Sequence, residues 1–268
     1  MIVCFALAAC LHAPAFAGAW AGFGRPLSRP PVSLVASPAH VALTGAAREA
    51  VTVTSSGRQP VVVEVARAGY ALDLRGRPRV ARLRSSWISV WPRRARIVPG
   101  GRATFVVAST PPRRAEPGDH SELVLLVTRP LRTAALSVRL RLGVVVVVRV
   151  PGRIVRRLDP LRVRVRARRL ELLVANRGNV TETIGGRCVA VAVRRAGRLV
   201  ARLHPRPRTL LPHTTGLLEL PFRGLSPRRG RLRIGVAISP GPPCAQPRRR
   251  AFAIRLSAAA PRASVRRT

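Results

Sequence analysis

The sequence predicts an all-β protein built as two tandem sandwiches, and three observations carry that expectation. Short β-branched runs alternate with arginine from Val32 onward, Gly and Pro clusters separate the runs, and amphipathic periods of helix length are missing. The chain of 268 residues is long enough for two ordinary domains. Its 47% apolar content exceeds what a disordered basic tail would carry.

The N-terminus comes first. Ile2 to Leu11 is an apolar run of signal-peptide length, followed by Pro14 and by Ala15-Phe16-Ala17. The small residues at Ala15 and Ala17 suit a signal peptidase, so residues 1–17 are expected to be removed on export and residues 18–31 to form a linker. No later stretch has the roughly 18 apolar residues of a membrane span. Export would remove Cys4 and Cys10 and leave Cys188 and Cys244 in an oxidising compartment, which invites one bridge between them.

Strands are then expected near Val32–Leu43, Ala50–Thr54, Val61–Ala66, Trp87–Val90, Arg102–Ala108, Ser121–Thr128 and Leu136–Val150. A second set falls near Leu161–Ala167, Leu170–Ala175, Val189–Val193, Arg198–Leu203, Gly216–Pro221, Leu232–Ile238 and Ala251–Leu256. Each set has about the number of strands that a seven-stranded sandwich requires. Residues 32–150 and 151–256 are therefore assigned to two domains, and 257–268, rich in Ala, Pro and Arg, to a tail.

The two sets also match each other in their turns. Val53-Thr54-Ser55-Ser56-Gly57 parallels Val174-Ala175-Asn176-Arg177-Gly178, a strand end that runs into a glycine. Ile97-Val98-Pro99-Gly100-Gly101 parallels Leu210-Leu211-Pro212-His213-Thr214, and Pro117-Gly118 parallels Arg229-Gly230. This order of strands and turns resembles the immunoglobulin-like domains of periplasmic pilus chaperones, and is similar to Gram-positive surface proteins of the WxL-interacting type. The resemblance implies two immunoglobulin-like β-sandwiches at the cell envelope, and a last long strand of the first domain that pairs with a partner's strand.

Val138 to Val150 is the segment on which that implication falls. Every even position is apolar, so one face is core, while Val145 and Val147 place apolar groups on the other face beside Arg149. Val145, Val147 and Arg149 are the candidate partner-strand residues. The alternative is that another strand or the second domain covers them.

Charge supplies the second candidate. All 49 basic residues are arginine and oppose ten carboxylates, giving a net charge of +39. Arg162, Arg164, Arg166 and Arg168 share one face of an expected strand, a ladder that can meet the phosphates of an anionic wall polymer or a nucleic acid. Few aromatic side chains accompany them, Trp87, Trp91 and Tyr70 being the plausible stacking partners. One of the two tryptophans is expected in the core.

Catalysis finds no support. Asp119-His120-Ser121 holds triad residue types, but consecutive residues cannot converge on one another. No Cys and His grouping suggests a metal, and no cofactor is expected. Asn179-Val180-Thr181 fits a glycosylation sequon inside a turn, and Asn176 and Gly178 beside it are read as turn residues, Gly178 for a positive φ. The sequence thus describes an exported, extracytoplasmic, non-enzymatic binding or scaffold protein. Its partner is an envelope protein strand or an anionic surface polymer, and a cationic nucleic-acid-binding module is the alternative.

Overall fold

A computed structural model describes residues 30–83, 87–129, 131–132, 137–166, 169–221, 230–241, 244 and 247–256. The expected signal segment, the tail and Arg168 lie outside the described residues. The first domain contains β1 (Leu34–Ser37), β2 (His40–Thr44), β3 (Ala47–Ser55), β4 (Val61–Leu72), β5 (Pro78–Ala81) and β6 (Ile88–Trp91). It continues through β7 (Arg94–Ile97), β8 (Arg102–Ser109), β9 (Gly118–Thr128), β10 (Leu131–Arg132), β11 (Ser137–Val138) and β12 (Arg141–Val150).

Strands β1-β3-β8-β6 form a four-stranded sheet that faces a six-stranded one, ordered β2-β12-β9-β4-β5 with β7 also on β4. Period-2 alternation decides which side chains fill the space between them. Val51 and Val53 of β3, Phe105 and Val107 of β8, and Val144, Val146 and Val148 of β12 are buried in one cluster. The expected single strand Val32–Leu43 is two strands on opposite sheets. Pro38, which has no N–H to give to a ladder, falls between them. After it β2 runs parallel to β12, with His40 opposite Val145 and Thr44 opposite Arg149.

The second domain contains β13 (Leu158–Arg166), β14 (Arg169–Asn176), β15 (Glu182–Ile184), a 3-10 turn (Gly186–Cys188), β16 (Val189–Arg195) and β17 (Arg198–Leu203). It ends with β18 (Arg208–Leu210), β19 (Thr215–Pro221), β20 (Gly230–Ile238) and β21 (Arg248–Leu256). One sheet is β13-β14-β19, the other β17-β16-β20-β21, with β15 and β18 paired separately. Leu170, Leu172 and Val174 meet Val189, Val191, Val193 and Ile234 in a second core. The molecule is therefore all-β, two tandem immunoglobulin-like sandwiches with separate cores.

Cys188 and Cys244 are joined by a disulfide, with Cα atoms 5.0 Å apart. The two glycines matched in the sequence serve close approach in the structure. A Cβ on Gly57 would lie 2.7 Å from the Pro31 carbonyl oxygen, and one on Gly178 would lie 2.2 Å from that of Val155. Gly178 is not in the left-handed region, so the expectation of a positive φ there is corrected.

Candidate functional site

The last strand of the first domain has two halves with different neighbours. Along Arg141–Val150 it pairs with β9 on one side. On the other side β2 covers only Val145–Arg149. Alternation fixes which backbone groups point to that side. The Val145 N–H donates to the Ala39 carbonyl at 3.0 Å, and the Arg149 carbonyl accepts from the Gly45 N–H at 2.8 Å. Odd-numbered residues therefore face β2, and the N–H and C=O of Arg141 and Gly143 face the same way beyond its end. Among the described residues no strand lies there.

That placement moves the open edge relative to the sequence expectation. The backbone edge at Val145, Val147 and Arg149 is already occupied by β2, because the parallel strand arrives from residues about a hundred positions earlier. The side chains of Val145 and Val147 remain on the outer face and are half-buried. Arg141 and Gly143, just before Val145, supply main chain that no described strand pairs. A glycine inside a β-branched strand was the sequence signal available for them.

The outer face beside this edge is hollowed. Register places Arg141 opposite Val127 and Gly143 opposite Leu125 on β9, and Leu125 opposite Ala66 on β4. Ala66, Leu125 and Val127 floor a recess of about 360 Å³ whose rim includes Arg129, Arg139 and Arg141. The Arg129 Nε donates to Glu64 Oε1 at 2.6 Å, and Arg139 and Arg141 are rim charges without an ion-pair partner among the described residues. An apolar floor under a basic rim, next to main-chain donors and acceptors that no described strand takes up, can hold an extended peptide segment.

The far end of β12 is tied to the second domain. Arg149 donates through Nε and Nη2 to the two Asp119 carboxylate oxygens, at 2.7 and 2.9 Å. The same carboxylate accepts from the Thr181 N–H at 2.8 Å. Burial pushes the Asp119 carboxyl up, but hydrogen bonds from Arg149 and Thr181 outweigh it and hold the group below its ordinary value. Asn179 completes the junction. Its Nδ2 donates to the carbonyls of Pro117 and Arg153, its Oδ1 accepts from the Val155 N–H, and its own carbonyl accepts from the Asp119 N–H. The side chain of the sequon asparagine is thus engaged between Pro117 of the first domain and the Arg153 and Val155 main chain that joins the two domains. Nearby, Glu182 accepts from Arg156 at 2.9 Å with its side chain only 1% exposed. Burial outweighs that attraction and pushes the Glu182 carboxyl up. Sequence reasoning missed this junction, since Asp119, Asn179 and Thr181 look locally like parts of turns and Arg149 like part of a strand.

Other singled-out residues separate. Arg162, Arg164 and Arg166 are exposed on β13. Glu171 stands opposite Arg164 and lies 3.9 Å from Arg166, so a carboxylate interrupts the ladder. Asn176, read as a turn residue, is fully buried and donates to the carbonyls of Val180, Leu210 and Leu211. Ile88 and Val90 take the core positions of β6, which leaves Trp91 74% exposed. Trp87 is half-buried against His120, ring centroids 4.6 Å apart. Neither tryptophan is core, which corrects the sequence expectation. Asp119 and Ser121 share one face of β9 with Arg149 and Val147, and His120 is on the opposite face.

No protein-family model and no curated protein matches the sequence. Solved structures do match it in shape. A chain of the chaperone–tip adhesin complex of CFA/I fimbriae biogenesis superposes with a TM-score of 0.51 at 11% identity, covering 83% of this chain and 98% of that one. The class 5 fimbriae chaperone CfaA superposes with a TM-score of 0.51 at 11% identity, covering 84% of this chain and 100% of that one. At this identity the likeness is one of fold: the chain shares the two-domain β-sandwich architecture of fimbrial chaperones over most of its length.

Proposed function

We propose that this protein is an exported, chaperone-like binding protein that holds a segment of a client protein as an added strand along β12. The client strand starts where β2 stops, on the main chain of Arg141 and Gly143, and lays alternate side chains toward the floor formed by Ala66, Leu125 and Val127. Val145 and Val147 continue that outer face toward the junction, and Arg149, held by Asp119, fixes its far end. The observation that carries this is the open half-edge: two residues of a central strand offer N–H and C=O groups that no described strand accepts. The fold shared with fimbrial chaperones supports it, and the bonded Cys188 and Cys244 fit an extracytoplasmic setting.

Gly143→Pro tests it. The Gly143 N–H points away from β9, so proline removes a donor from the open edge without removing one from the β9 ladder. The expected outcome is loss of client capture from envelope extracts with the melting temperature nearly kept. Undiminished capture by the folded variant would contradict strand addition.

A further inference from the structure

The second domain divides its charge unequally between its two sheets. None of the chain's ten carboxylate side chains falls in β16, β17, β20 or β21, and no acidic residue follows Glu219. On the other sheet Arg166 and Arg169 have carboxylate partners, while Arg162 and Arg164 have none among the described residues. Arg166 and Arg169 lie 3.9 and 3.7 Å from Glu171, Arg169 lies 3.5 Å from Glu219, and Asp159 of β13 takes Arg157 from the segment before it and Arg248 from the start of β21.

On β17-β16-β20-β21 the inward positions are apolar, among them Val191, Val193, Ile234 and Val236. Alternation therefore turns Arg194, Arg202, Arg233 and Arg249 outward, and all four are exposed. None of the four has an ion-pair or hydrogen-bond partner among the described residues. Register sets Arg194 directly opposite Arg233, with Arg202 opposite Ala192 and Arg249 opposite Ala237. Like charges directly opposite on neighbouring strands destabilise a sheet, and no carboxylate among the described residues of this face offsets them. The floor between the arginines is made of Ala190, Ala192, Gly235, Ala237 and Ala251. Side chains this small leave the long guanidinium stems standing clear, so one oxyanion can be reached by more than one arginine.

The floor also narrows the class of ligand. Phe252 packs against the core from β21, so among the described residues His204 is the one ring lining this face, a single small stacking surface. Binders of single-stranded nucleic acid add such surfaces to their charge. A protein partner would need apolar anchors at the centre of the contact, whereas the centre of this face is alanine and glycine and the exposed Leu199, opposite Arg194, lies on the edge strand β17. We propose that the outer face of β17-β16-β20-β21 binds a phosphodiester polymer without bases, its phosphates held between Arg194 and Arg233 and flanked by Arg202 and Arg249. This surface is separate from the β12 edge, and its partner would be an anionic polymer of the cell surface.

The test uses the full chain and inorganic polyphosphate as probe, with affinity measured over a series of salt concentrations. The Arg194→Gln, Arg233→Gln, Arg249→Gln triple variant is expected to bind at least about tenfold more weakly, and the slope of log K against log salt to fall by about 2. Arg162→Gln with Arg164→Gln on β13 is expected to change affinity less than about threefold, because Glu171 already neutralises part of that ladder. The triple variant should melt no lower than the parent, since it removes a like-charge pair, and Gly143→Pro should bind polyphosphate unchanged. Parent-like affinity in the triple variant overturns the proposal. So does equal affinity for polyglutamate, which would assign the face to an acidic protein, or tighter binding of oligothymidylate, which would assign it to nucleic acid.

Discussion

The two domains solve the same closing problem in the same way and then expose different surfaces. In each, a strand of the core, β3 or β14, runs into a glycine that lies against the segment leading into the domain's first strand. The Ser56 N–H donates to Ser33 and the Arg58 N–H to Pro30, just as the Arg177 N–H donates to Arg157 and the Asn179 N–H to Val155. The difference begins at the last strand. In the first domain β12 is the second strand of its sheet, half covered by β2, with an open half that offers main chain. In the second domain β21 is itself the sheet edge, and its sheet offers arginine side chains with no carboxylate among them. One sandwich unit thus yields a backbone surface in one copy and a charge surface in the other. The contrast follows from where a proline breaks the first strand and where ten carboxylates fall.

The largest expected break of this symmetry is the disulfide, which among the described residues only the second domain has. Closing a loop with a sequence separation of 56 residues is worth roughly 4 kcal/mol in the chain-entropy model. Replacing Cys188 and Cys244 by Ser should lower the unfolding free energy of the second domain by about that amount and leave the first domain's transition in place. Calorimetry with separable transitions checks it, and equal losses in both domains would mean that the two cores unfold as one.

A smaller effect sharpens the junction between the copies. Asp119→Asn keeps the shape but weakens the bonds to Arg149 and Thr181, at a cost of about 2 kcal/mol. The half-exposed Arg149 keeps that figure modest, because water can solvate the freed guanidinium. The sign with pH follows from the lowered Asp119 carboxyl. Its contribution is complete above the ordinary aspartate value and is lost as pH falls through the lower folded value. The gap between parent and variant should therefore close below about pH 4. A gap that stays constant into acid would show that Asp119 does not hold the junction as an ion.

Much of the architecture is legible in local residue patterns. The alternation through Val144, Val146 and Val148 names the core face of β12, and the repeated glycine turns announce two sandwiches. The open edge is not legible in the same way. It depends on β2, whose parallel pairing joins His40 to Val145 and leaves no mark near either residue. The interruption of the arginine ladder is nearer in sequence but also depends on pairing, since Glu171 stands opposite Arg164 only through the β13–β14 register. Trp91 misleads because aromatic character predicts burial, whereas Ile88 and Val90 fill the two core positions that so short a strand provides.

Amide hydrogen exchange along β12 of the free protein tests the central claim most directly. The account predicts protection at Leu142 and Val144, bonded to β9, and at Val145 and Val147, bonded to β2, with fast exchange confined to Arg141 and Gly143. Protection at Arg141 and Gly143 equal to that at Val145 would show the edge to be closed, and strand addition on β12 would be contradicted.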